Sequence, residues 1–255
     1  MTKEKKFVAS AEAKGKAKQF RLFAMLAWIV AIAGEVFTIF KLLKNDMLTW
    51  LIVAIVVILV LAIVGNLLWK KANRMDPPSE KDKVKFFLQS QLGAIMAVLA
   101  FLPLVLLIFF NKDLDGKTKG IAGGVAIVAL LAAGITGIDF DPASVEKYTE
   151  EINAQRGEVQ RLIGKDHIFW TPSGNKLHLY DDCHHIRNSD VSEGTVEDAW
   201  HARKIDNNEI CKTCENKAEK RLEEDGGEKS FIEGLMDDAV ETLTGEEEEL
   251  LDDAA

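Results

Sequence analysis

Three residue types are scarce in this chain of 255 residues: it has three Cys, two Tyr and five Pro. An odd number of cysteines, all between positions 183 and 214, excludes a small secreted domain stapled by disulfides. The low proline content and the lack of any glycine period exclude a collagen-like or proline-rich fibrous chain. Charge is also missing over long stretches. Met47–Trp69, Phe86–Phe110 and Gly120–Ile138 contain no Asp, Glu, Lys or Arg, and Leu22–Phe40 contains one, Glu35. The net charge of -9 therefore hides two unlike halves. Residues 1–138 are basic and apolar, whereas residues 139–255 are polar and strongly acidic. Neither a single soluble globule nor a wholly disordered chain has this layout.

Each uncharged stretch is 19 to 25 residues long, enough to cross about 30 Å of hydrocarbon as a helix. All faces of these stretches are apolar, unlike a surface helix of a soluble protein. They predict an α-helical membrane bundle of four transmembrane helices over 21–138, preceded by a basic segment over 1–20. Lys and Arg crowd the N-terminal segment and the loop from Lys70 to Lys85, while the other two loops hold few. The positive-inside rule then predicts both termini in the cytoplasm of a bacterial or archaeal cell, with the lipid bilayer of the inner or plasma membrane as the first partner.

Polar residues inside the spans are few. Glu35 is a functional candidate, because an ionisable group in hydrocarbon is costly. Its other expected use is hydrogen bonding within the bundle or reaching toward the headgroups. Asn66, Gln89, Ser90 and Gln91 suit hydrogen bonds between helices, and Gly123, Gly124, Gly134 and Gly137 suggest a small-residue face on the fourth span. Asn111–Gly116 has oxygen groups at calcium-loop spacing, but Ala122 stands where a bidentate Glu is needed, so an Asp-Gly turn is expected there.

Beyond the spans, Asp141-Pro142 reads as a helix start. Val145, Tyr148, Ile152, Gln155, Val159 and Leu162 follow at alternating steps of three and four. Over 139–165 this predicts a helical stalk, either a short parallel coiled coil supporting a homo-oligomer through stalk and membrane helices, or an amphipathic helix lying on the zinc module or on the membrane surface. His167–Trp170 and Lys176–Tyr180 flank a Thr171–Asn175 turn and predict a hairpin. Cys183 and the Cys211-Lys212-Thr213-Cys214 knuckle then supply three thiols in a compartment that keeps them reduced, so metal binding outranks a disulfide. Tetrahedral zinc needs a fourth donor, and His178, His184 and His185 are the candidates; spacing favours His178.

The run Gly174–Cys183, with Ala199 and Cys211–Cys214, resembles the small zinc ribbon typified by Ada-type metal-binding domains. The resemblance covers about 50 residues, 166–216, and none of the spans. It implies a small α+β zinc ribbon with His178, Cys183, Cys211 and Cys214 as ligands of a structural Zn2+, and a short helix over Val196–His201. With His in place of the family's first Cys, the thiolate suited to accept a methyl group is missing. Nucleic-acid binding, common in that family, conflicts with the acidic excess over His167–Asn216.

The tail, 217–255, is acidic and includes Glu246–Glu249. Phe231, Ile232, Leu235, Met236, Ala239, Val240 and Leu243 recur in it at helical spacing, which fits either a solvated disordered tail or a short amphipathic helix that folds into a partner's groove or onto the zinc module. No nucleophile–base pair, phosphate loop or paired carboxylates stand out, so no catalytic residue is expected. The sequence reads as a non-enzymatic, membrane-anchored interaction or scaffold protein with a protein partner on the zinc ribbon or the acidic tail. Its rivals are a transporter or channel using Glu35 with a regulatory zinc domain, and a membrane-anchored nucleic-acid-binding or defence effector.

Overall fold

The computed structural model describes residues 6–202 and 209–224, so the amphipathic tail segment expected at 231–243 lies outside the described residues. The chain divides into two compact units, 1–152 and 153–255.

The first unit is a bundle of four helices, each long and apolar enough to cross a membrane. They are α1 (Ala11–Lys41), α2 (Leu48–Met75), α3 (Lys83–Phe110) and α4 (Gly116–Gly137). Side-chain caps fix three of the starts: Ser10 accepts from Ala13 N, Asp82 from Lys85 N and Asp115 from Thr118 N, each satisfying an amide with no partner inside its helix. Helix α2 packs against the other three. The interior is built largely from small residues, among them Ala31, Ala62, Ala97, Ala126 and Ala133, around Phe101 and Leu104. Phe23, Ile29, Phe37, Val57, Val128 and Leu131 face outward and are exposed. Small residues inside and large apolar ones outside suit close helix packing in lipid and would be a liability in water.

Polar side chains tie the helices as the sequence suggested. Asn66 is fully buried; its Nδ2 donates to Ala133 O at 2.9 Å, and its Oδ1 accepts from Trp28 Nε1 at 3.3 Å. Gln91 exchanges hydrogen bonds with the Asp139 backbone, and Gln89 Nε2 donates to Asn73 Oδ1. Ser90 instead donates to Phe87 O in its own helix. The expected glycine face on α4 narrows to two positions. A Cβ on Gly123 would stand 2.5 Å from the Phe109 ring, and one on Gly137 would stand 2.5 Å from the α3 backbone at Gly93 and Ala94. Gly124 and Gly134 meet nothing within 4 Å.

The two ends of the bundle differ. At one end, Asn45 Nδ2 donates to Asp113 O and Asn45 Oδ1 accepts from Asp115 N, so the two short loops are pinned together; in place of the expected Asp-Gly turn, Asp115 caps α4 and Gly116 is its first residue. At the other end, three segments form a polar collar. Arg21 donates to Asp76, Ser79 Oγ and Glu80 N donate to the Glu146 carboxylate, and Val145 N donates to Pro78 O. Phe7 N donates to Thr149 Oγ1 at 2.9 Å while the Phe7 ring meets Tyr148 edge-on. The described part of the basic N-terminal segment is therefore part of the fold, and α1 starts at Ala11, eleven residues ahead of the apolar stretch that begins at Leu22.

Helix α5 spans Val145–Ile163 and carries the unit boundary within it. Asp141-Pro142 does not start it. Ser144 does, its hydroxyl accepting from Lys147 N at 2.9 Å, while Asp141 pairs with Lys147 Nζ instead. The coiled-coil expectation is corrected as well. Tyr148, Ile152, Val159 and Leu162 are buried by the chain itself, and Gln155 accepts from Trp200 Nε1 at 2.7 Å, which leaves that seam unavailable to a second copy. Gly164 ends the helix at φ 72°, its N–H donating to Gln160 O, a glycine stop that avoids a Cβ clash.

Among its described residues, the second unit combines the latter part of α5 with four short strands and two helices. The strands are β1 (Ile168–Trp170), β2 (Lys176–Leu177), β3 (Ser192–Gly194) and β4 (Glu209–Ile210). The helices are α6 (Val196–Ala202) and α7 over residues 212–224. Strand β1 pairs antiparallel with β3, and β2 pairs parallel with β4. The expected hairpin shrinks to the single bridge between Phe169 and His178, because each strand finds its longer pairing elsewhere. Arg156 joins α5 to this unit through Asp166 at 3.0 Å and Glu197 at 3.4 Å. The module therefore extends beyond 166–216 at both ends, taking in Gln155, Arg156, Val159 and α7.

Candidate metal centre

The parallel pair β2–β4 is what brings distant ligands together. Cys211 N donates to Leu177 O at 2.8 Å, so the residues that follow each strand, His178 and Cys211, leave the sheet side by side. Cys183 arrives from a tight turn in which Ile186 N and Arg187 N both donate to its carbonyl. Cys214 lies in the first turn of α7, its N–H donating to Cys211 O at 2.9 Å.

The outcome is a buried group of one imidazole and three thiols. One ligand atom from each of His178, Cys183, Cys211 and Cys214 lies within 4.8 Å of all the others, and this group could hold a metal ion. Cys214 Sγ is 3.8 Å from His178 Nδ1. That separation fits the edge of a tetrahedron with metal–sulfur bonds of about 2.3 Å and metal–nitrogen bonds of about 2.1 Å. His184 and His185, the rival donors, are exposed and stand outside the group. His185 Nε2 contacts Thr213 Oγ1 at 3.3 Å instead. The cysteines are free thiols, with no disulfide among them.

The local electrostatics treat the two knuckle thiols differently. Burial pushes the Cys214 thiol up to about 12. Burial is the largest single influence on Cys211 and acts to raise it, but the backbone N–H groups of Cys214 and Thr213 together with the Cys183 and Cys214 thiols hold it below its ordinary value. Those amides belong to the first turn of α7, the positive end of the helix dipole, which favours negative charge. Three thiolates crowded into a buried group need a cation to be stable together, so the donor chemistry itself fits a metal.

Comparison with protein families, curated proteins and solved structures finds no match to this chain.

The sequence does not reveal how α5 joins this unit: Gln155, placed on the heptad-like seam by its spacing, and its neighbour Arg156 tie α5 to α6 instead. The missed signal was Trp200, an aromatic with a donor that must find an acceptor when buried. The other candidate, Glu35, lies in the first unit and is only 3% exposed. Its Oε1 accepts from Leu104 N at 3.1 Å, one residue past Pro103. Proline has no N–H and its ring crowds the preceding turn, so the carboxyl group braces α3 at its one proline. Hydrogen bonding within the bundle, one of the two uses expected for Glu35, is the one the structure shows.

Proposed function

We propose that this chain is a multi-span membrane protein that carries a structural zinc module on its cytoplasmic side and works as a non-catalytic interaction or scaffold protein. The observation that carries the reading is the all-protein donor set. Four buried ligands from one chain complete a tetrahedral sphere and leave no position for an activated water or a substrate. Three sulfurs and one imidazole suit zinc, and in a unit this small the metal would contribute much of the folding energy. The likeness of the segment 166–216 to Ada-type zinc ribbons supports the same reading. The partner is a protein, recruited through the zinc module or the acidic tail. Crosslinking and affinity isolation from membranes test this, comparing the intact chain with variants lacking 225–255 or carrying Cys214→Ser. Loss of the same protein partner in one of the two variants is expected; an unchanged set of partners in both would reject the scaffold role.

Sidedness follows from the basic end of the bundle. The N-terminal segment, the 76–82 loop and the start of α5 share one end, so they must face the same compartment. Cysteines placed at the exposed positions 46 and 112 are expected to react with an impermeant maleimide in intact cells, and one at position 80 to react only after lysis. Reaction at position 80 in intact cells would invert the topology.

The buried carboxyl group of Glu35 favours one rival reading, a proton- or cation-coupled carrier. Glu35→Gln separates the two, because the amide oxygen still accepts from Leu104 N at nearly the same volume. Assembly and partner binding are expected to persist in the variant. A selective loss of ion or proton flux in vesicles, with assembly unchanged, would establish the carrier.

A further inference from the structure

At the collar end of the bundle, α1, α2 and the start of α3 enclose an open cleft of about 520 Å³. Its lining is graded. Arg21, Asp82 and Lys85 supply the charged part, whereas Trp69, Val84, Leu88 and Leu92 supply apolar walls interrupted by the one amide of Gln89. Lys85, Leu88 and Leu92 recur at steps of three and four, a row along one side of α3 that runs about 10 Å from the collar into the span. The cleft thus passes from charge to hydrocarbon in the direction of the bilayer normal, and Val84 and Leu88 beside it are exposed.

The cationic groups of the polar part are only partly matched. Arg21 spends Nη1 on the Asp76 carboxylate at 2.9 Å and Nη2 on Asp76 O at 2.7 Å, while its Nε is buried without a partner. A buried donor left without an acceptor is costly. The Asp82 carboxylate is engaged as the cap of α3, accepting from Lys85 N at 3.1 Å. The Lys85 ammonium forms no ion pair among the described residues. Six basic residues against three acidic ones over 70–85 make the surroundings cationic.

We propose that this cleft binds an anionic phospholipid, its phosphate between Arg21 and Lys85 and the first part of its acyl chain along Leu88, Leu92 and Trp69. Basic pockets between spans at the headgroup level recognise anionic lipid in this way, and zwitterionic lipid lacks the net charge that the cationic rim favours. Trp69 makes the site observable, because bromine on an acyl chain quenches an indole it touches.

The test uses the full-length protein in phosphatidylcholine bilayers, titrated with phosphatidylglycerol brominated near the carbonyl end of its acyl chains. Brominated phosphatidylcholine serves as the control. A saturable quenching component seen only with phosphatidylglycerol is expected, and it should be absent in Trp69→Phe. Lys85→Gln should raise the lipid fraction needed for half-quenching about fivefold, the weight of one basic side chain near an anionic surface, and Lys85→Arg should restore it. Identical curves for the two lipids, or an undiminished component in Lys85→Gln, would overturn the proposal. Loss of the component on adding millimolar inorganic phosphate would also overturn it, assigning the cleft to a soluble anion.

Discussion

Stripping the metal from the full-length protein, or replacing Cys211 or Cys214 with serine, is expected to unfold the unit that begins at Asn153 and leave the membrane helices folded. Structural zinc sites in small modules bind with apparent free energies of about 10–16 kcal/mol at neutral pH. That matches or exceeds the roughly 5–15 kcal/mol that stabilises an ordinary domain. Without the cation, His178, Cys183, Cys211 and Cys214 remain as a buried cluster of polar groups at the meeting point of β2, β4 and α7. Limited proteolysis in detergent, read beside metal content, checks this: chelation should open cleavage sites after residue 153 and spare those before it. His178→Ala should lose the metal, while His184→Ala and His185→Ala retain it. Equal retention by all three would remove His178 from the ligand set. Affinity should fall as pH is lowered, because each thiol must give up its proton to bind, and the Cys214 thiol, raised by burial to about 12, gives up the most strongly held one. Metal addition should accordingly release protons into a weakly buffered solution.

The second large effect is expected at Gly137. A side chain there would meet the α3 backbone, with Ala94 N and Gly93 C each 2.5 Å from the new Cβ. Backbone cannot rotate away as a flexible side chain can, so the two helices must separate. Overpacking a well-filled interior costs about 1–3 kcal/mol where side chains can yield, and Gly137→Leu should reach or exceed the upper end of that range. Separation would also strain the Asn66 bond to Ala133 O, one turn from Gly137. Thermal unfolding in detergent should show a large loss for Gly137→Leu and little change for Gly134→Leu, since nothing lies within 4 Å of Gly134. Similar losses at both positions would mean that propensity rather than packing governs α4.

What was legible in the sequence follows from how local each signal is. Uninterrupted apolar stretches declare the four helices because span length is a property of a single segment. Ligand spacing declares the metal group because thiols and imidazoles have few other reasons to cluster. The α1 extension to Ala11 was not legible, since residues 11–20 are held by contacts with distant segments, with Ala17 buried against Ala72 and Met75. The heptad-like spacing of α5 was visible but ambiguous. The same stripe serves a dimer seam or an intramolecular packing face, and only Gln155 meeting Trp200 and Tyr148 donating to Arg74 O distinguish them. The parallel pairing of β2 with β4 joins two-residue strands more than thirty residues apart, too short and too distant for a periodicity argument.

Every thiol in the protein sits in the metal group. The chain is therefore its own occupancy gauge. A reagent that counts accessible sulfhydryls would read the metal-free fraction directly, with no background from the four long apolar helices, and thiol oxidation or thiol alkylation could reach this protein only through the module that a bound metal would hold shut.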